Sequence, residues 1–141
     1  MTHEPVLTLA ELVSFLDQEF PELHEGGRAF HVDAVEPGAA IMRLEADRRH
    51  LRPGATVSGP SLMTLADVAA YAAILAHVGP VAMAVTTSFS INFLRKSEPG
   101  PVICRATLMK LGKRLAVVDC NIQSGDALIA HAVATYSIPP R

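Results

Sequence analysis

The sequence predicts an α+β domain in which an antiparallel sheet of about six strands wraps one long central helix, with an extra helix at the N-terminus. Three observations carry this expectation. Ser61 to Val78 is almost wholly apolar and is bracketed by Gly59-Pro60 and Gly79-Pro80. Four strand-like runs follow it with no further helical pattern between them. Two shorter alternating runs joined by Glu36-Pro37-Gly38 precede it, and this order of elements suits one sheet curled round one helix.

In the central helix, Pro60 has its φ preset and lacks an N–H that would have found no intrahelical partner, so Gly59-Pro60 marks the start. Gly79-Pro80 marks the stop. Alanines at 66, 69, 70, 72, 73 and 76, among Leu62, Met63, Leu65, Val68, Ile74 and Leu75, turn apolar side chains in nearly every direction. Such a helix is buried on most sides. A membrane span is the competing reading, and Asp67 near the centre opposes it, because a mid-span carboxylate costs about 2.5–3.5 kcal/mol on insertion scales. Inside a soluble wrapping, the same carboxylate must find partners or do chemistry.

The remaining elements follow in chain order. Thr8-Leu9-Ala10-Glu11 is a capping box, and Leu9, Leu12, Val13, Leu16 and Phe20 give one apolar face to a first helix from about Leu9 to Phe20. Pro21 ends it. Alternation from Arg28 to Val35 and from Ala39 to Glu45 predicts a hairpin. The charged connection Asp47 to Leu51 reads as a solvated loop. After the helix, strands are expected over Ala82 to Leu94, Val102 to Leu111, Leu115 to Gln123 and Leu128 to Ile138, with turns at Pro99-Gly100-Pro101, Gly112-Lys113 and Ser124-Gly125-Asp126. Strict alternation in the first of these puts Met83, Val85, Thr87, Phe89, Ile91 and Phe93 on one face, and Ala84, Thr86, Ser88, Ser90 and Asn92 on the other. That long strand, free of proline, is the candidate to pair with its copy in a second subunit.

Composition narrows the function classes. A chain of 141 residues, 50% of them hydrophobic, suits one domain over 1–141, with 1–26 as an N-terminal helical segment. A formal net charge of −2 and the lack of a long Lys/Arg run argue against a nucleic-acid partner. The first residues, Met1-Thr2-His3-Glu4-Pro5, lack the pattern of a secretion signal, so a cytoplasmic location is the default expectation. Cys104 and Cys120 then read as reduced core thiols. Neither they nor the six histidines show metal-ligand spacing, so no metal is expected.

The segment from Gly54 to Asp67 resembles the signature of hotdog-fold acyl-CoA thioesterases of the phenylacetate-degradation type, within the 4-hydroxybenzoyl-CoA thioesterase-like superfamily. In that family a Gly-x-x-x-His-Gly-Gly lead-in precedes a helix whose Asp lies eight residues beyond the middle Gly, and Gly59 to Asp67 keeps that spacing. Val35 to Ala40 resembles the family's first hairpin turn, and Leu111 to Leu115 its late basic hairpin. The likeness covers most of the chain after about residue 28. Ser58 stands where the family usually has His, Pro60 where it has a second Gly, and Arg52 where close relatives commonly have Asn or Gln.

The resemblance implies a hotdog fold, a homodimer or homotetramer, and hydrolysis of an aryl- or short- to medium-chain acyl-CoA, with no cofactor besides the coenzyme A of the substrate. It implies that Asp67 activates water or attacks the thioester carbonyl, and that the Gly59 N–H stabilises the oxyanion. Thr86, from the partner subunit, would help to position the water. Arg52 would bind a substrate carboxylate or phosphate, or else pair with Asp67. Ser58 and Ser88 are further substrate-binding candidates, and Arg95, Lys96, Lys113 and Arg114 could meet coenzyme A phosphates. Three alternatives stand beside these roles. Asp67 could be a structural carboxylate held by Thr64 or Tyr71; hydroxyls on a strand face and loop-end cations are common without function; and the chain could bind an acyl-CoA or another small ligand without catalysis. Dehydratase or hydratase chemistry would need a His in the lead-in, and none is present.

Overall fold

The computed structural model describes residues 3–140. Helix α1 (Leu9–Glu19) begins on the expected capping box: Glu11 N donates to Thr8 Oγ1 at 3.1 Å, and Thr8 N donates to Glu11 Oε1 at 2.9 Å. It ends one residue earlier than expected, with Phe20 as its cap, and a 3-10 turn over Pro21–His24 follows. Leu12 and Leu16 anchor it in the core. The backbone N–H groups of Val6 and Leu7 donate to Ala76 O, which fixes the N-terminal segment across the end of the central helix.

Strands β1 (Phe30–Glu36) and β2 (Ala39–Glu45) form the expected hairpin. Gly38, at φ +76°, takes the left-handed conformation that its turn needs. The connection after β2 is more ordered than a solvated loop. Arg48–His50 is a 3-10 turn in which Asp47 accepts from Arg49 N at 3.0 Å, while Asp47 N donates to His50 Nδ1 at 3.0 Å. His50 is buried edge-on against Phe30, and Arg49 donates to the carbonyls of Glu25 and Gly27. Charge alone suggested solvent, but local side-chain caps and two carbonyl acceptors hold this turn down. Burial also lowers the pKa of His50, so its ring acts here as a neutral acceptor.

A short ribbon of β3 (Leu51–Arg52) and β4 (Thr56–Val57) leads into α2 (Gly59–Val78). The rest is a meander of β5 (Val85–Phe93), β6 (Pro101–Leu111), β7 (Leu115–Ser124) and β8 (Ala127–Ser137). The main sheet has six strands in the order β1-β2-β6-β7-β8-β5, every neighbouring pair antiparallel. It wraps α2, whose alanines meet Ala106 on β6, Ala116 on β7 and Ala130, Ala132 and Ala134 on β8 in one core. Small residues on both sides let the helix lie close to the strands. Leu62, Leu65, Ile74 and Leu75 fill the wider gaps, each worth about 1.5–3 kcal/mol when fully buried. By length and composition α2 could cross a membrane, but 67% of its most apolar window is buried inside the fold, which makes it a core helix. Both cysteines are free and buried.

Two further details concern the packing around α2. His77 clamps the far end of α2 to the first hairpin: Gly38 N donates to Nε2 at 2.9 Å, and Nδ1 lies 2.7 Å from Ala73 O, which fixes the neutral tautomer with its proton on Nδ1. The alternation expected in β5 fails at one residue. Thr86 pairs with Tyr136 and Ser88 with Thr135, so Thr87 is a bulge. Thr86 therefore joins Phe89 and Ile91 on the face toward α2, while Ser88, Ser90 and Asn92 point outward and are exposed. A single extra residue reverses the side of everything before it.

Candidate active site

From Leu62 to His77, helix α2 is buried except along one stripe: Met63 and Thr64 are exposed, and Asp67 and Tyr71, one and two turns on, are partly so. These positions recur at three- and four-residue spacing, so they form one face. Beside that face runs β5, one of the two edge strands of the sheet, with no strand on its far side among the described residues.

Asp67 sits in this gap, facing a cavity of about 690 Å³ whose walls include Phe20, Met63, Tyr71, Ala84 and Phe89. Its Oδ1 accepts from Thr86 Oγ1 at 2.7 Å and from the Tyr136 hydroxyl at 2.8 Å. The same hydroxyl lies 2.9 Å from the Asp67 carbonyl oxygen. Thr64 and Tyr71, the partners considered from helical spacing, are committed elsewhere, Thr64 to Pro60 O and Tyr71 to Ala82 O. Aromatic rings support the wall: Tyr71 stacks on Tyr136 at 6.2 Å between centroids, and Phe20 meets Tyr71 edge-on at 6.5 Å. Burial, then the nearby Asp67 charge, push the Tyr136 pKa well above its usual value, so this hydroxyl keeps its proton and remains a donor. Burial and the charge of Glu19 raise that of Tyr71 in the same direction.

Gly59 lies at the N-terminal end of the same helix. Ser58 is the N-cap, its Oγ accepting from Ser61 N at 3.2 Å and donating to Ser61 Oγ at 2.9 Å. A hydroxyl thus caps the helix where the resemblance led one to expect an imidazole. As the first helical residue, Gly59 offers an N–H that no intrahelical carbonyl can reach, and no acceptor takes it among the described residues. It opens on a second cavity, of about 500 Å³, lined by Arg52, Phe93, Leu94, Arg95 and Lys96 among others. A Cβ built on Gly59 would come 3.3 Å from Phe93 Cζ, so a side chain here would crowd that cavity.

The expected site residues thus separate into groups. Asp67 and Thr86 meet within one chain, which corrects the expectation that Thr86 reaches across from a partner. Arg52, Gly59, Arg95 and Lys96 share the second cavity, so Arg52 does not pair with the Asp67 of its own chain. Ser88 lies on the outward face of β5, a consequence of the bulge, and lines neither cavity. Lys113 and Arg114 occupy the β6–β7 hairpin at the sheet end nearest Tyr136 and also line neither cavity. Tyr136 was not foreseen. Its signal was a lone tyrosine continuing the inward series Ala130, Ala132 and Ala134, where a buried hydroxyl demands an acceptor.

With this geometry in view, comparison with known proteins is decisive. The sequence model of the thioesterase superfamily matches residues 54–130, a span that contains both Gly59 and Asp67. The chain belongs to the thioesterase superfamily. As a thioesterase superfamily member it is a thioester hydrolase, and the family resemblance noted in its sequence is borne out. It is similar to a protein of Pseudomonas aeruginosa named as a candidate esterase, at 31% identity over 101 residues, covering 70% of this chain and 75% of that one. Among solved structures, a candidate thioesterase from Silicibacter is 46% identical with a TM-score of 0.88, covering 98% of this chain and 96% of that one. A mutant of the phenylacetic acid degradation protein PaaI from Thermus thermophilus is 26% identical with a TM-score of 0.74, covering 84% of this chain and 99% of that one. The hotdog fold expected from the sequence is therefore the fold of this superfamily member.

Proposed function

We propose that this thioesterase is a soluble, cytoplasmic acyl-CoA hydrolase that works as a homodimer or homotetramer, each active site drawing Asp67 from one subunit and the Gly59 N–H from another. The observation that carries this reading is the separation of the two groups. Eight residues of helix at about 1.5 Å each put them about 12 Å apart, too far to meet on one thioester carbonyl. They also flank opposite halves of β5, Thr86 and Phe89 beside the Asp67 cavity and Phe93 beside the Gly59 cavity. If two β5 edges pair antiparallel about a two-fold axis, the first half of one lies against the second half of the other. The carboxylate of each subunit then approaches the glycine of its partner. The free, buried thiols of Cys104 and Cys120 agree with a reducing compartment.

In the reaction proposed, the acyl group occupies the apolar cavity and the thioester carbonyl points its oxygen at the Gly59 N–H, aided by the positive end of α2. Ionised Asp67 takes a proton from water as the water oxygen adds to the carbonyl carbon, or attacks that carbon itself to give an anhydride that water then opens. Either way the C–S bond breaks, the thiolate leaves and is protonated, and the free acid remains. Water, thioester and side chains suffice, so no cofactor beyond the substrate's own coenzyme A is required. The aromatic wall of Phe20, Tyr71 and Phe89 suits an aryl or a short- to medium-chain acyl group.

Arg52, Arg95 and Lys96 bring three positive charges to the Gly59 cavity and suit the phosphates of coenzyme A. Arg52→Ala should raise KM for acyl-CoA substrates by about 3- to 10-fold and leave kcat nearly unchanged. Pantetheine thioesters, which lack the nucleotide, should show no such change. An equal loss on both substrate types would remove the phosphate role. The test of the function as a whole is free-thiol release over a panel of aryl- and alkyl-CoA esters, where turnover of at least one class is expected. Binding of the esters without thiol release would instead make the chain a non-catalytic acyl-CoA binder.

A further inference from the structure

We infer that Tyr136 is a positioning residue for the reaction: with Thr86 it saturates Asp67 Oδ1, so that the carboxylate presents its other oxygen, Oδ2, to the substrate in one fixed orientation. The inference rests on the reading of Asp67 as the catalytic carboxylate. Two hydroxyls from two different strands, Thr86 on β5 and Tyr136 on β8, converge on a single oxygen. Oδ2 receives no donor among the described residues, and Asp67 faces the larger cavity. An oxygen that already accepts two hydrogen bonds is a poor base, whereas its free neighbour keeps its lone pairs for water or for the carbonyl carbon.

Tyr136 does more than fill space. It is only 3% exposed, and a phenylalanine would bury the same ring without a hydroxyl to satisfy. Its hydroxyl lies within reach of both the carboxylate and the Asp67 carbonyl oxygen, so its single proton lies between the side chain and the backbone of that helical residue and tethers them to β8. The bulge at Thr87 completes the clamp, because without it Thr86 would face away from α2. Rotation of the carboxylate about its Cβ–Cγ bond would break both bonds at once. The orientation is thereby selected from two sides, which is what a reacting group needs.

The titratable groups around Asp67 are few: Glu19 at the end of α1, Tyr71 on α2, Cys120 on β7 and Tyr136 on β8. None is a cation. Inside its own chain the side-chain donors to this carboxylate are the two hydroxyls of Thr86 and Tyr136. In general a carboxylate that loses a hydrogen-bond donor to its charged form ionises less readily.

The experiment follows kcat/KM against pH with hexanoyl-CoA and benzoyl-CoA for the parent, Tyr136→Phe, Thr86→Val and Asp67→Asn. Tyr136→Phe is expected to move the midpoint of the acid limb up by about one pH unit and to lower the plateau by about tenfold. KM should stay within about twofold, since the acyl cavity is kept. Thr86→Val should move the limb in the same direction, because it removes the other donor to the same oxygen, and Thr86→Ser, which keeps the hydroxyl, should restore it. A folded Tyr136→Phe with its acid limb in place, or shifted down, would show that the tyrosine only packs. If Tyr136→Phe does not fold, Thr86→Val decides: an unmoved limb there overturns the two-donor clamp. Asp67→Asn separates the two levels. Parent-like turnover by that variant removes the catalytic carboxylate itself, whereas an inactive Asp67→Asn beside an unmoved Tyr136→Phe removes only the positioning role.

Discussion

Asp67→Asn should lower kcat by about 10²–10⁴, the range expected for a positioned acid–base group, while KM for the same thioester changes little. The amide keeps the shape of the carboxylate and can still accept from Thr86 and Tyr136 through its oxygen, so the clamp and the fold should survive. What it loses is the negative charge that draws a proton from water or attacks the carbonyl. In the parent, kcat/KM should rise with pH through a single ionisation and then level, because only the ionised form is competent. The variant should lose that limb along with its rate. Folded Asp67→Asn with near-parent thiol release would make Asp67 a structural carboxylate.

A second large effect should appear when two inactive variants are mixed. Gly59→Val places a branched side chain beside Phe93 and in front of the free N–H, and loss of such an oxyanion donor costs about 10²–10³ in kcat. Asp67→Asn and Gly59→Val should each be nearly silent alone. In a hybrid dimer one site receives the intact Asp67 from the second variant and the intact Gly59 from the first, while the other site receives both defects. With random reassociation half of the dimers are hybrid and each has one working site, so about a quarter of parent activity should return. Co-refolding the variants, confirming dimers or larger assemblies by sedimentation, and measuring thiol release would check this. No recovery from well-formed hybrids would mean that the two groups do not share a site.

Much of this was legible in the sequence because each element carried its own punctuation. The capping box at Thr8, the Gly-Pro pairs around α2 and the tight turns of the meander placed the helices and strands within a few residues. Gly59 and Asp67 stood out because a helix start and a lone carboxylate in an apolar helix are local signals. What escaped depends on long-range pairing. The bulge at Thr87 leaves no local mark, yet it decides which of Thr86 and Thr87 faces α2. Tyr136 meets Asp67 across 69 positions, a partnership visible only once β8 is laid beside the helix. Arg49 and His50 looked solvated because charge was read without their acceptors.

The near-uniform apolarity of α2 also governs the order in which the chain can fold. A helix with almost no polar face has no stable existence in water until something surrounds it. Only β1 and β2 of the main sheet precede it in the chain; β2 takes β6 as its neighbour, and β5 takes β8, the last strand of all. The wrapping therefore closes only when residues near Ser137 are available, and its pairings are of long sequence separation, which makes closure slow compared with helix formation. During synthesis a segment of membrane-span length therefore emerges before most of the strands that will enclose it. At that stage Asp67 raises the cost of entering a bilayer, so the residue proposed to carry the chemistry also favours the soluble route while the wrapping of strands is still incomplete.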